Sequence, residues 1–468
     1  MLPPHDHDDG EAQDDDKVEV QDDDKLVSPS AASSWFRFLP AGLGDTEDLE
    51  RYASGGFHPT HLGDVFDGRY RVVHKLGAGG FSTVWLAKDT TEDRYVALKI
   101  VVADQSAAIE ARNLSPGRAA LRSSSQGNSG LVIEQRHFTI DGPNGHHIYL
   151  VFPVLGPSTS QLSCYLDSRL TPRLARKAGY QAAQALARLH ALGLCHGDMT
   201  TANIAFGLSN IDQYTEDDFT RLLGAPETAP LETESGEEPG PEAPRYIVKP
   251  LDFLDSKKSI ISWDVQLIDF DLPPVPASDV WALGCSIFRL RSGHSPFASL
   301  DVWAPRDTVA IIASTLGDLP ASWGDVLFNY EGQPTQDPEK GAPLRELVEK
   351  RSLRELVDAI YDRPDNGIAM TGTTRREREV WNKNDNIPYP PCVEGMAWKP
   401  KSTKIDNIYL YGYNEETDGL LAVMPKITAI EADLLYDLLS KIFVYDTAKR
   451  ITAEGMLAHP WFHMDQDG

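Results

Sequence analysis

Short apolar runs come first along the chain, and helical spacing takes over later. Tyr70–Leu76 reads as a strand, a second strand starts near Ser82, and Tyr95–Val101 is a third. Ile148–Phe152 is another, with the uniformly apolar look of a buried strand. Thr171-Pro172 then opens a helix with a cap residue and a proline in the first turn. Ala175, Ala178, Ala182, Leu186 and Leu189 recur at helical spacing, and Gly193 ends the run. Trp263–Ile268 reads as a strand. Helical patterns follow at Ser278–Phe288, Asp301–Leu316, Pro343–Tyr361 and Ile430–Phe443, the last of them amphipathic.

Between these elements lie stretches without periodicity. Residues 1–34 are acidic, then Ser/Ala-rich, and read as disordered up to about residue 47, although Trp35, Phe36 and Phe38 could pack on the domain. Residues 207–262 are acidic and rich in Pro, Glu and Gly, too long and polar for a packed connection. Residues 362–425 form a second irregular insertion. The formal net charge of −26 is concentrated: residues 1–25 hold eleven acids and two bases, and residues 212–245 hold ten and two. Such a balance speaks against direct nucleic-acid binding and favours basic peptides or proteins, though solvated tails carry charge in the same way. Hydrophobic residues at 41% support a real core. Cys164, Cys195, Cys285 and Cys392 have no close pairing, so neither a disulfide framework nor a zinc site is expected, as suits a reducing compartment. No apolar run approaches the roughly 20 residues of a membrane span, and the acidic N-terminus does not read as a targeting segment.

The chemistry concentrates in Leu194-Cys195-His196-Gly197-Asp198-Met199-Thr200-Thr201-Ala202-Asn203-Ile204. An Asp followed five residues later by an Asn suits phosphoryl transfer to a hydroxyl. Asp198 can take up or orient the hydroxyl proton, and Asn203 can hold a magnesium ion against a nucleotide. A His-Gly-Asp loop also serves ordinary turn chemistry, so the rest of the chain has to decide. Gly77-Ala78-Gly79-Gly80-Phe81-Ser82-Thr83-Val84 lies between two strands, and Val96-Ala97-Leu98-Lys99 follows on a third. Glycines let backbone amides approach phosphate oxygens. Because this turn joins strand to strand and opens no helix, it is neither a dinucleotide-binding nor a Walker-type loop. Lys99 would reach the phosphates, with Glu110 as the candidate carboxylate to hold it. The bland alternative makes the two unrelated surface charges.

Several stretches resemble the small lobe of a eukaryotic protein kinase, and the SR-protein kinase family in particular: Tyr52, Gly55–Pro59, Gly63-Asp64, Gly68–Tyr70 and Phe81–Leu86, with Ser82 where many kinases have a third loop glycine. The likeness covers roughly residues 48–463. It implies an α+β, bilobal fold, with a small β-rich lobe over residues 48–156 and a large helical lobe over 157–463. It implies ATP as phosphate donor and Mg2+ as cofactor. Leu76–Val84 would cover the nucleotide, and backbone groups of Pro153 and Leu155 would bond the adenine edge in front of Phe152. Asp198 would be the catalytic base, with Asn203 and Asp269 as magnesium ligands. Substrates would be proteins with Arg/Ser-rich basic segments. The enzyme would be a monomer of the cytoplasm or nucleus, with no membrane or direct nucleic-acid partner.

The sequence departs from the family pattern at four places. Gly197 stands where the family has Arg, which makes dependence on a phosphorylated activation loop unexpected. Thr200 replaces a Lys, and Asp271 replaces the Gly after Asp269-Phe270. The segment 269–279 is only about a third of the usual length, so the surface that seats a substrate hydroxyl and the Glu expected to pair with Arg450 are missing. A buried Arg450 without that carboxylate should cost several kcal/mol. Two other readings stay open: a pseudokinase scaffold that binds ATP, and a small-molecule phosphotransferase, since His196-Gly197-Asp198 with Asn203 also resembles aminoglycoside and choline kinases.

Overall fold

The computed structural model describes residues 36–44, 46–124, 130–163, 169–256, 260–270, 275–297, 304–317, 319–320, 327–341, 352–362, 396–398 and 425–464. Residues 1–35, Asp271, Cys164, Cys392, the first nine residues of the expected 343–361 helix and nearly all of the 362–425 insertion lie outside them.

Six antiparallel strands form the small lobe: β1 (Val65–Phe66), β2 (Tyr70–Gly79), β3 (Ser82–Asp89), β4 (Arg94–Val101), β5 (Arg136–Gly142) and β6 (Gly145–Phe152), in the order β1-β2-β3-β4-β6-β5. Side chains alternate across a strand with period two. The register Trp85↔Leu98↔Val151 therefore sends those three into one apolar core, while Val84↔Lys99 and Ala97↔Phe152 face the other way, toward the cleft. Helices α1 (Ala103–Asn113) and α2 (Pro116–Ser124) follow β4.

The large lobe is built on α4 (Pro172–Ala191), reached through α3 (Thr159–Ser163) and β7 (Arg169–Leu170). Pro172 occupies its first turn as expected, but the Thr171 side chain makes no cap bond. Gly193, at φ 71°, turns the chain out of the helix. Strands β8 (Ile204–Leu208) and β11 (Ile261–Leu267) pair antiparallel, and α6 (Pro276–Ser292) packs on α4. Three further helices are α7 (Pro305–Leu316), α8 (Leu353–Asp358) and α9 (Ala429–Ile442); α10 (Ala453–Met456) comes last. Small pairs β12 (Leu327–Phe328) with β13 (Pro334–Thr335) and β14 (Ala397–Trp398) with β7 complete it.

The 207–262 segment departs most from expectation. Its described residues form a packed strap, not a loose spacer. Thr215 caps α5 (Glu216–Leu223), with Asp218 reciprocating. Strands β9 (Thr228–Pro230) and β10 (Tyr246–Val248) pair with each other. Asp212 accepts from the Tyr95 amide at 2.7 Å, Phe219 packs edge-on against the Tyr95 ring, and Val248 joins the small-lobe core. Residues 36–47 are likewise drawn in, against their reading as part of the tail. Phe38 is buried against Ile247 and Leu231, and Glu47 pairs with Lys75 inside the small lobe.

Candidate active site

The pairing of β8 with β11 creates the site. Leu267 lies opposite Ile204, and the Ile268 amide donates to the Asn203 carbonyl at 3.0 Å. Asn203, just before one strand, and Asp269, just after the other, are thereby held side by side. Asp269 takes a left-handed φ of 54°, a conformation that costs energy for a non-glycine residue. Its carboxylate accepts a hydrogen bond from the ammonium of Lys99, which reaches down from β4.

The loop before Asn203 is fixed from below. The carboxylate of Asp279, on the first turn of α6, accepts from the backbone amides of His196 and Gly197 at 2.7 Å each and from His190 Nε2 at 3.0 Å. Burial alone would raise the pKa of Asp279, but these donors hold it below the ordinary carboxylate value. Burial lowers that of His196. Gly197 sits at φ 81°, which gives a backbone reason for glycine at this departure from the family pattern. Asp198 is exposed, and Asn203 Nδ2 donates to both its backbone carbonyl and its Oδ2 at 2.8 Å.

A cavity of about 410 Å³ lies between the lobes. Leu76, Gly77, Ala78, Gly79, Ser82, Val84, Lys99, Pro153, Leu155, Asn203 and Asp269 all line it, with Ala97 and Phe152. Gly80 and Phe81 form the two-residue turn of the β2–β3 hairpin, and Thr83 is buried on the other face of β3. A Cβ added at Gly77 or Gly79 would meet nothing within 4 Å, and neither residue has a positive φ. Local packing and backbone conformation therefore do not require glycine there, and the space beside both residues is open. Glu110 is not where it was expected to act. It sits on α1 and makes no ion pair with Lys99, whose partner is Asp269.

The family described as Protein kinase domain matches residues 70–211. Over that stretch the chain is similar to a protein kinase domain. It is 37% identical over 170 residues to the serine/threonine-protein kinase spk-1 of Caenorhabditis elegans, covering 35% of this chain and 17% of that one. It is 34% identical over 175 residues to the serine/threonine-protein kinase SKY1 of Saccharomyces cerevisiae, covering 36% and 24%. Over 116 residues it is 42% identical to SRSF protein kinase 3 of Homo sapiens, covering 24% and 20%. The matches thus span about a fifth of the relatives' own length. The resemblance to a eukaryotic protein kinase similar to the SR-protein kinases holds.

Two features of the structure were not anticipated. Leu251 and Phe253, from the strap, also line the nucleotide-sized cavity. Arg450 is only half-buried and is well satisfied without a carboxylate. Its guanidinium donates to the Val444 carbonyl at 2.6 and 3.1 Å and to the Ala277 carbonyl at 2.6 Å, and it lies over the Trp281 ring.

Proposed function

We propose that the chain is an ATP-dependent serine/threonine protein kinase, similar in action to the SR-protein kinases. One juxtaposition carries the reading: Lys99, Asn203 and Asp269 line a single cleft, with Asp198 hydrogen-bonded to Asn203 at its edge. ATP fits under the glycine turn, where open space at Gly77 and Gly79 admits phosphate oxygens. Backbone groups of Pro153 and Leu155 are available to the adenine edge. Asn203 and Asp269 suit Mg2+, since both offer the oxygen donors this hard cation prefers, and the amide nitrogen of Asn203 is already spent on Asp198. The ion would neutralise phosphate charge. Asp198 accepts the proton of the substrate hydroxyl as its oxygen attacks the γ-phosphorus; the bond to the β–γ bridging oxygen breaks and ADP leaves.

The substrates favoured are Arg/Ser-rich protein segments. The similarity to SRSF protein kinase 3 and the net charge of −26 both support a basic partner. Action in the cytoplasm or nucleus, as a monomer, belongs to the same reading. Among the described residues no helix is long and apolar enough to cross a membrane.

One observation favours a second reading, an ATP-binding pseudokinase. Only Phe270–Val275 separate Asp269 from the start of α6 at Pro276, which leaves little chain to seat a protein substrate. Transfer of labelled γ-phosphate from Mg-ATP to an Arg/Ser-rich peptide by the full chain decides between them. Transfer supports the kinase. Binding of Mg-ATP without transfer to protein supports the scaffold, and turnover of an aminoglycoside or amino alcohol instead would overturn both.

A further inference from the structure

The strap crosses the nucleotide-sized cavity on its way from one lobe to the other. Val248, at the end of β10, packs in the small-lobe core. Three residues on, the Leu251 amide donates to the Lys75 carbonyl at 2.8 Å, so the strap is stitched to β2 one residue before Leu76, where the glycine turn begins. Asp252 Oδ1 then accepts from the Leu254 amide at 2.8 Å and folds the chain into a single 3-10 turn at Phe253–Asp255. Leu251, Phe253 and Leu254 pack into the large-lobe core. Within seven residues the chain joins both cores, and both Leu251 (9% exposed) and Phe253 (6%) form cavity wall.

We propose that Leu251 and Phe253 are specificity-determining residues of the nucleotide site, an apolar wall that limits how large a base or sugar the cleft accepts. The proposal rests on the kinase reading of the cavity. Lys99, Asn203 and Asp269 draw the phosphates and the magnesium ion to the polar part of the cleft. Pro153, Leu155 and Leu76 line the apolar part, and Leu251 is fixed beside Leu76 by its bond to Lys75. The wall therefore meets the nucleoside and not the triphosphate. Apolar side chains in a buried wall select by volume, because removing methylenes opens space that a larger ligand can fill. The strap also touches both lobes, so a nucleotide that fills the cleft and a seated strap stabilise one another.

The test uses the full chain with Mg-ATP and two enlarged analogues, 2-methylthio-ATP and the N-methylanthraniloyl ester of ATP on the ribose. The wild-type protein should bind ATP and bind at least one analogue tenfold or more weakly. In Phe253→Ala or Leu251→Ala the preference for ATP over that analogue should fall at least fivefold, and Phe253→Leu should keep most of it. Mg-ATP should also slow amide exchange of residues 248–254 in the wild-type protein severalfold, a measurement that needs no variant to fold. The proposal is overturned if ATP binds but the preference is unchanged in the folded alanine variants, or if exchange of 248–254 ignores the nucleotide. Failure of the wild-type chain to bind ATP at all would instead remove the kinase reading, and the wall with it.

Discussion

The ammonium of Lys99 is hydrogen-bonded to the carboxylate of Asp269, a residue 170 positions away on the opposite lobe, and not to Glu110 on the helix that follows its own strand. The pair bridges the cleft, with the side chains 21% and 51% exposed. Partly solvated pairs contribute only about 0.2–1 kcal/mol to stability. Lys99→Ala should therefore leave the unfolding midpoint of the free protein nearly unchanged while abolishing the thermal shift given by Mg-ATP. Glu110→Gln should alter neither. A loss of nucleotide binding in Glu110→Gln equal to that in Lys99→Ala would show that the working site pairs these residues differently.

Asp198 and Asn203 make the second prediction. Asp198→Asn removes the proton acceptor and keeps the shape of the side chain. Phosphate transfer should fall by about 10²-fold or more, the size of a general acid–base contribution, with the Mg-ATP thermal shift retained. Asn203→Ala should lose both, because it strips a cavity-lining oxygen donor and the two bonds that hold Asp198. Transfer surviving in Asp198→Asn at the wild-type rate would exclude Asp198 as the base.

The buried pair of Lys75 and Glu47 tests the attachment of the segment before β1 to the small lobe. Both side chains are almost wholly inaccessible, Tyr52 donates to the same carboxylate at 2.5 Å, and the Lys75 ammonium lies 5.5 Å from the centre of the Trp85 ring. Burial pulls the pKa of Lys75 down, and burial together with Glu47 pushes that of Tyr52 well above its ordinary value. Glu47→Ala strands a buried cation and should cost about 3–5 kcal/mol in urea unfolding. Replacing both, with Glu47→Leu and Lys75→Met, should recover most of that loss. An equal loss in the double variant would mean that packing, and not charge, is what Glu47 supplies.

Much of the site was legible because local rules reveal it. Strands β2 to β4 follow from apolar runs and a glycine turn, and the five-residue spacing of Asp198 and Asn203 is itself a chemical signal. What could not be read depended on distant contacts. Glu110 is the partner the sequence suggests for Lys99, since sequence distance says nothing about an Asp that arrives through the β8–β11 pairing. The strap looked like a spacer because acids dominate its composition, yet Phe219, Leu231, Ile247, Val248 and Phe253 are spread along it without a period and each finds a core. Arg450 seemed to need a carboxylate; the carbonyls of Val444 and Ala277 that serve it instead are backbone groups that no sequence pattern displays. Gly197 looked like a lost arginine, and the left-handed backbone at that point explains the glycine.

Acid stability should be governed in part by Glu431, at the start of α9. Its carboxylate accepts from Arg291 through Nε and Nη2 and from Arg176 Nη1, all at 2.9 Å, deep in the large lobe. Burial would raise its pKa, but the two guanidinium groups hold it below the ordinary 4.5. A carboxylate with a depressed folded-state pKa contributes stability that is fully present above the unfolded value and is lost as pH falls through the folded one. This contribution should therefore be intact above pH 4.5 and decline below it. Asp362, which also binds Arg291, is shifted the other way by burial, so its protonation relieves a penalty on acidification and offsets part of the loss. Glu431→Gln should be less stable at neutral pH by about 3 kcal/mol, the scale for breaking a buried ion pair, and its stability should fall less steeply below pH 4.5. Asp362→Asn should make the same fall steeper. Urea unfolding from pH 7 to pH 3 measures both slopes, and parallel curves for wild type and Glu431→Gln would show that the acid limb arises elsewhere.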